Sequence, residues 1–63
     1  MTRFIIVASP MGRPLYLRRG KWVADIERAT HYQSRSSALV SLATEAVRNG
    51  WARHAEIVQR GAA

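Results

Sequence analysis

Arg13, Tyr16, Arg18, Arg19, Lys21 and Trp22 fall within ten consecutive residues, and they are the part of the chain best equipped for chemistry. An arginine presents a planar fork of donors that matches phosphate and carboxylate, and lysine presents a compact ammonium. The two aromatic rings can stack on nucleic-acid bases or fill a pocket on a protein partner. No acid interrupts this group. Residues 1–24 carry Arg3, Arg13, Arg18, Arg19 and Lys21 with no Asp or Glu, a local charge of +5. Residues 25–63 set five arginines against Asp25, Glu27, Glu45 and Glu56, so most of the formal +6 belongs to the N-terminal third. A one-signed patch of this kind attracts anionic partners. The competing reading is a solvated hairpin tip whose charge only discourages edge-to-edge association.

The residue types for enzymatic chemistry are sparse. The chain has no cysteine, only His31 and His54 in separate elements, and four scattered carboxylates. Ser34, Ser36 and Ser37 stand where a helix begins, and capping accounts for them without catalysis. The glycines at 12, 20, 50 and 61 are isolated and form no phosphate loop. The chain is therefore expected to be a non-enzyme with no cofactor and no metal site. Nine of the ten basic residues are arginine beside ten alanines, a bias that GC-rich codon usage alone produces, so the position of the charges informs more than their type.

The elements that must position these residues follow from pattern. Phe4-Ile5-Ile6-Val7-Ala8 is a nearly continuous apolar run ended by Pro10, which suits a strand inside a sheet. Five apolar residues are too few for a secretory signal core, no stretch approaches a membrane span, and the expected location is cytoplasmic. Residues 9–14 are turn chemistry. Leu15-Tyr16-Leu17 and Trp22-Val23-Ala24 flank Arg18-Arg19-Gly20-Lys21 as a tight hairpin. A two-residue Arg19-Gly20 loop needs positive φ at both positions, which disfavours arginine. A three-residue loop is therefore preferred, setting Leu15 opposite Val23 and Tyr16 opposite Trp22, with Tyr16, Arg18 and Trp22 on one side. The two-residue alternative turns the aromatics toward the core instead.

Asp25 to Ala29 reads as a turn, with Thr30-His31-Tyr32 extended beyond it. Ser34 is a good N-cap for a helix that buries Ala38, Leu39, Leu42, Ala43, Ala46 and Val47 and exposes Ser37, Ser41, Thr44, Glu45 and Arg48. Asn49-Gly50 ends it, with Gly50 as a left-handed cap. Trp51 covers the end of the core, and His54 to Gln59 forms a last strand. The expected fold is a single α+β domain over residues 1–60 with a frayed tail at 61–63. Its order is β-β-β-α-β, an antiparallel or mixed four-stranded sheet with one helix on one face. A helix crossing back over the sheet would lay the last strand parallel to the first and leave the other face open. A domain this small buries only ~60% of the surface of its unfolded chain, so its margin of stability is thin.

Gly20-Lys21-Trp22-Val23-Ala24 followed by Tyr32-x-Ser34-x-x-x-Ala38 resembles the AP2-like arm-binding domains of phage integrases over residues 14–48. That resemblance implies a three-stranded sheet laid in a DNA groove, with Arg18, Lys21 and Trp22 in contact. The chain as a whole is similar in format to small phage and prophage accessory proteins, including anti-CRISPR proteins. This implies a binding protein that inhibits or modulates a host protein or nucleoprotein complex. Direct DNA or RNA binding by the same face is the alternative. A homodimer pairing sheets over Ile5, Tyr16 and Trp22 is a third.

Overall fold

In the computed structural model, which describes residues 2–61, the chain forms a four-stranded sheet in the order β3-β2-β1-β4. The strands are β1 (Thr2–Ala8), β2 (Leu15–Arg18), β3 (Lys21–Val23) and β4 (Glu56–Gly61), and one helix, α1 (Arg35–Arg48), packs on the sheet. The α+β class and the order of strands and helix along the chain, β-β-β-α-β, match expectation. No helix among the described residues is long and apolar enough to cross a membrane. Gly61 ends β4 opposite Thr2, so it belongs to the sheet, while Ala62 and Ala63 of the expected tail lie outside the described residues.

β4 runs antiparallel to β1, with Ile5 opposite Val58 and Ile6 opposite Ile57, which corrects the expected parallel pairing. The reason lies in residues 25–32. Asp25 caps a 3-10 turn, Ile26–Arg28, its carboxylate accepting from the Glu27 amide at 2.9 Å. The chain then returns along the sheet. The Thr30 amide donates to the Leu17 carbonyl at 3.0 Å, and Phe4 and Tyr32 exchange backbone bonds at 2.9 and 2.8 Å. This unanticipated traverse moves the start of α1 to the Phe4 end of β1. The helix therefore crosses in the opposite sense and delivers β4 antiparallel. Tyr32 also satisfies β1 backbone groups beyond the short β1–β2 ladder, which pairs only Val7 with Tyr16 and Ala8 with Leu15.

Ile6, Leu17 and Ala38 form the buried core on the helix side, with Phe4, Trp22, Tyr32, Leu42, Ala55 and Ile57 packed around them. The opposite face is not bare: Ile5, which alternation places there, is 1% exposed. Ser34 caps α1 as expected, accepting from the Ser37 amide at 3.2 Å. The far end differs. The Asn49 amide closes the helix on the Glu45 carbonyl at 2.8 Å, and Gly50 has no left-handed φ. It opens a second 3-10 turn, Gly50–His54, so the last strand starts at Glu56 and not at His54.

The orientation of α1 also departs from its pattern. Ala38 and Glu45 are buried, whereas Leu39 is 56% and Val47 is 87% exposed, and Ala43 faces solvent. Phe4, Trp22 and Tyr32 already fill the space above the sheet, so the helix packs on it through a small residue, the fully buried Ala38. Seven residues on, two helical turns place Glu45 on the same inward side.

Candidate anion-binding site

The hairpin tip sets the site. β2 and β3 pair Tyr16 with Val23, Leu17 with Trp22 and Arg18 with Lys21, leaving Arg19-Gly20 as a two-residue loop. Both take positive φ, 45° and 83°. The preferred three-residue register is thus corrected to the two-residue one. A non-glycine residue in the left-handed region is disfavoured by roughly 1–2 kcal/mol. That strain is offset by anchorage: the Arg19 amide donates to Thr30 Oγ1 at 3.2 Å, beside the Thr30–Leu17 backbone bond. The primed turn also follows the right-handed twist of the strands.

This register divides the six sequence-selected residues. Tyr16, Arg18 and Lys21 share the face away from α1, and Arg19 sits at the tip. Trp22 pairs with Leu17 on the helix side, half-buried, its ring 4.9 Å from that of Trp51 at an interplanar angle of 57°. Tyr16 is half-buried too, opposite Val7 on one side and Val23 on the other. Arg13 stands apart and exposed in the β1–β2 connection. The arginines are therefore not flanked by the pair of aromatic rings that the other register required. The expected homodimer surface is reduced as well, because Ile5 is buried and Tyr16 and Trp22 are half-buried.

The tip and the returning segment enclose an open concavity of ≈ 420 Å³ lined by Arg18, Arg19, Glu27, Arg28, Ala29, Thr30 and His31. All three of its arginines are exposed. Among the described residues the one ion pair is Arg48 with Glu45 at 3.5 Å, so neither Glu27 nor any other acid neutralises these guanidinium groups. Arg3 Nη1 reaches His31 Nδ1 at 3.4 Å. The lining is a set of forked cationic donors brought from two chain segments, which suits phosphate or carboxylate oxygens.

Arg28, Thr30 and His31 were not selected from the sequence. They sit in a stretch that reads as turn and connector, and only the backbone bonds to Leu17 and Arg19 bring that stretch beside the hairpin. A second concavity of ≈ 430 Å³ lies at the Ala8 end of β1, lined by Val7, Ala8, Ser9, Pro10, Trp51, His54 and Glu56. Among the described residues, no group of three or more His, Asp or Glu side chains could hold a metal ion. No protein-family model, curated protein or solved structure matches the chain.

Proposed function

We propose that the chain is a non-enzymatic binding protein that grips the acidic surface of a protein or nucleoprotein complex with Arg18, Arg19 and Arg28. The observation that carries this reading is the shared concavity of three exposed arginines, none of them in an ion pair. A structural charge cluster would gain by salt-bridging to Glu27 in the same lining; these arginines do not. Arg18 and Lys21 even face each other across the hairpin, a like-charge pairing that destabilises an antiparallel ladder. Such an arrangement is better explained by attraction to a partner than by stability.

Carboxylate is favoured over bare nucleic acid as the target chemistry because the concavity lacks a stacking platform. Its only ring is the imidazole of His31, while Trp22 packs against Trp51 on the other side of the hairpin. On this reading the chain inhibits or modulates a host complex from the cytoplasm, as would be expected of a small phage accessory protein.

Fluorescence anisotropy against labelled polyglutamate and a labelled single-stranded oligonucleotide, each across a salt series, tests the reading. Polyglutamate should bind, weaken with salt and lose affinity when Arg18, Arg19 and Arg28 are changed together to Gln. Oligonucleotide binding that is tighter at every salt concentration, with a log–log slope near about −2 for three single-strand phosphates, would replace this reading with direct nucleic-acid binding.

A further inference from the structure

Between α1 and the hairpin tip lies a third concavity, of ≈ 330 Å³, whose lining includes Leu17, Arg19, Tyr32, Val40, Glu45 and Arg48. Glu45 and Arg48 are three residues apart on α1, so one helical face turns both toward the hairpin. The approach is close: a methyl group at Gly20 would lie 3.3 Å from Arg48 Nη1 and 3.8 Å from Glu45 Oε2. Glu45 is the anomaly in this lining. It is 4% exposed, and its Oε1 has no hydrogen-bond partner. Among the described residues its one ion pair is with Arg48, at 3.5 Å. That is longer than the ~2.7–2.9 Å of a strong charge-assisted bond, and the Arg48 side chain is 64% exposed. A buried carboxylate matched so poorly lowers stability, and functional sites are where such a cost persists.

The signs in the lining select the ligand. A bare cation drawn to Glu45 would meet Arg19 and Arg48, and a bare anion drawn to the arginines would meet Glu45. A small zwitterion satisfies both. When the loosely held Arg48 turns outward, an incoming ammonium replaces it on Glu45, whose broad terminal torsion lets either oxygen accept. The released guanidinium and that of Arg19 then hold the ligand's carboxylate through forked donors. Val40, 67% exposed, and half-buried Tyr32 offer apolar surface to an aliphatic side chain. We infer that this concavity binds a free α-amino acid with an aliphatic side chain, its ammonium on Glu45 and its carboxylate on Arg19 and Arg48. The site shares only Arg19 with the concavity of Arg18 and Arg28.

The test uses the full chain, labelled with ¹⁵N, and leucine beside two analogues that each lack one charge. Isoamylamine lacks the carboxylate, and 4-methylpentanoate lacks the ammonium. Leucine should give saturable amide shifts at Gly20, Ser41 and Glu45 and bind at least about tenfold more tightly than either analogue. Glu45→Gln keeps the shape, removes the charge, and should weaken leucine about tenfold. Glu45→Met should weaken it as much while unfolding at a higher temperature than the parent. The Arg18→Gln, Arg28→Gln double variant should bind leucine as the parent does.

Three results would overturn the inference: no α1 shifts at millimolar leucine, an analogue that binds as tightly as leucine, or parent-like leucine binding by Glu45→Met. The analogue comparison uses the unaltered protein, so it decides even where a variant fails to fold. Leucine binding lost in the Arg18→Gln, Arg28→Gln variant would move the ligand to the other concavity and also overturn it. Leucine binding that persists there while polyglutamate binding is absent would support this site even where the arginine concavity failed.

Discussion

Replacing Glu45 with methionine should stabilise the protein. Glu45 is 4% exposed at the centre of the inward face of α1, its Oε1 has no hydrogen-bond partner, and its Oε2 meets only Arg48 at 3.5 Å. A buried polar group left unpaired costs about 1–3 kcal/mol. The ion pair returns little, since the Arg48 side chain is 64% exposed and screened by water. Methionine has a similar reach and adapts to irregular space, so it removes the desolvation penalty without opening a void. Removing Glu45 leaves Arg48 solvated and strands no second charge. The expected gain is about 2 kcal/mol, a large share of the roughly 3–9 kcal/mol available to a domain of this size.

At about 4–8 °C per kcal/mol for a domain this small, that gain raises the thermal midpoint by about 8–16 °C. Urea unfolding followed by circular dichroism should show the midpoint concentration rising with the slope unchanged. A double-mutant cycle sharpens the test. Arg48→Ala should destabilise the parent by about 1 kcal/mol by leaving Glu45 uncompensated, yet be nearly neutral in the Glu45→Met background. A less stable Glu45→Met protein would refute the reasoning, because it would mean that the carboxylate holds the hairpin tip against α1.

Two further changes probe the hairpin. Lys21→Glu puts opposite charges across the Arg18 pairing and should raise stability by roughly 0.2–1 kcal/mol while weakening polyglutamate binding, as measured by denaturation and anisotropy on the same sample. Gly20→Ala should cost about 1–2 kcal/mol in urea unfolding, because φ is +83°. The added methyl group meets Arg48 Nη1 at 3.3 Å, a flexible tip that can move aside, so backbone strain and not collision sets that loss.

The strands and the helix were legible because they rest on local signals. Phe4 to Ala8 is apolar and β-branched, Ser34 is a capping residue three positions before Ser37, and Arg19-Gly20 lies between two apolar runs. What escaped depended on contacts distant in sequence. The strain at Arg19 argues against a two-residue loop until the Thr30 hydroxyl, eleven residues away, is seen to hold it. The direction of β4 followed from the Phe4–Tyr32 bridge, which no local pattern announces. The helix misled through its own apolar pattern: Leu39, Ala43 and Val47 read as core, but Phe4, Trp22 and Tyr32 had taken that space. For the site, the hairpin arginines were visible in the sequence, whereas Arg28 joins them only through the returning segment.

Arg28 therefore provides the most direct test of the arginine concavity. Polyglutamate affinity should be measured for Arg18→Gln and Arg28→Gln side by side, with thermal unfolding of each as a control. The concavity predicts a comparable loss for both, about tenfold for one charge-assisted hydrogen bond, at unchanged thermal midpoints. A loss confined to Arg18→Gln, with Arg28→Gln binding as the parent does, would contradict a shared site and return the binding to the hairpin alone.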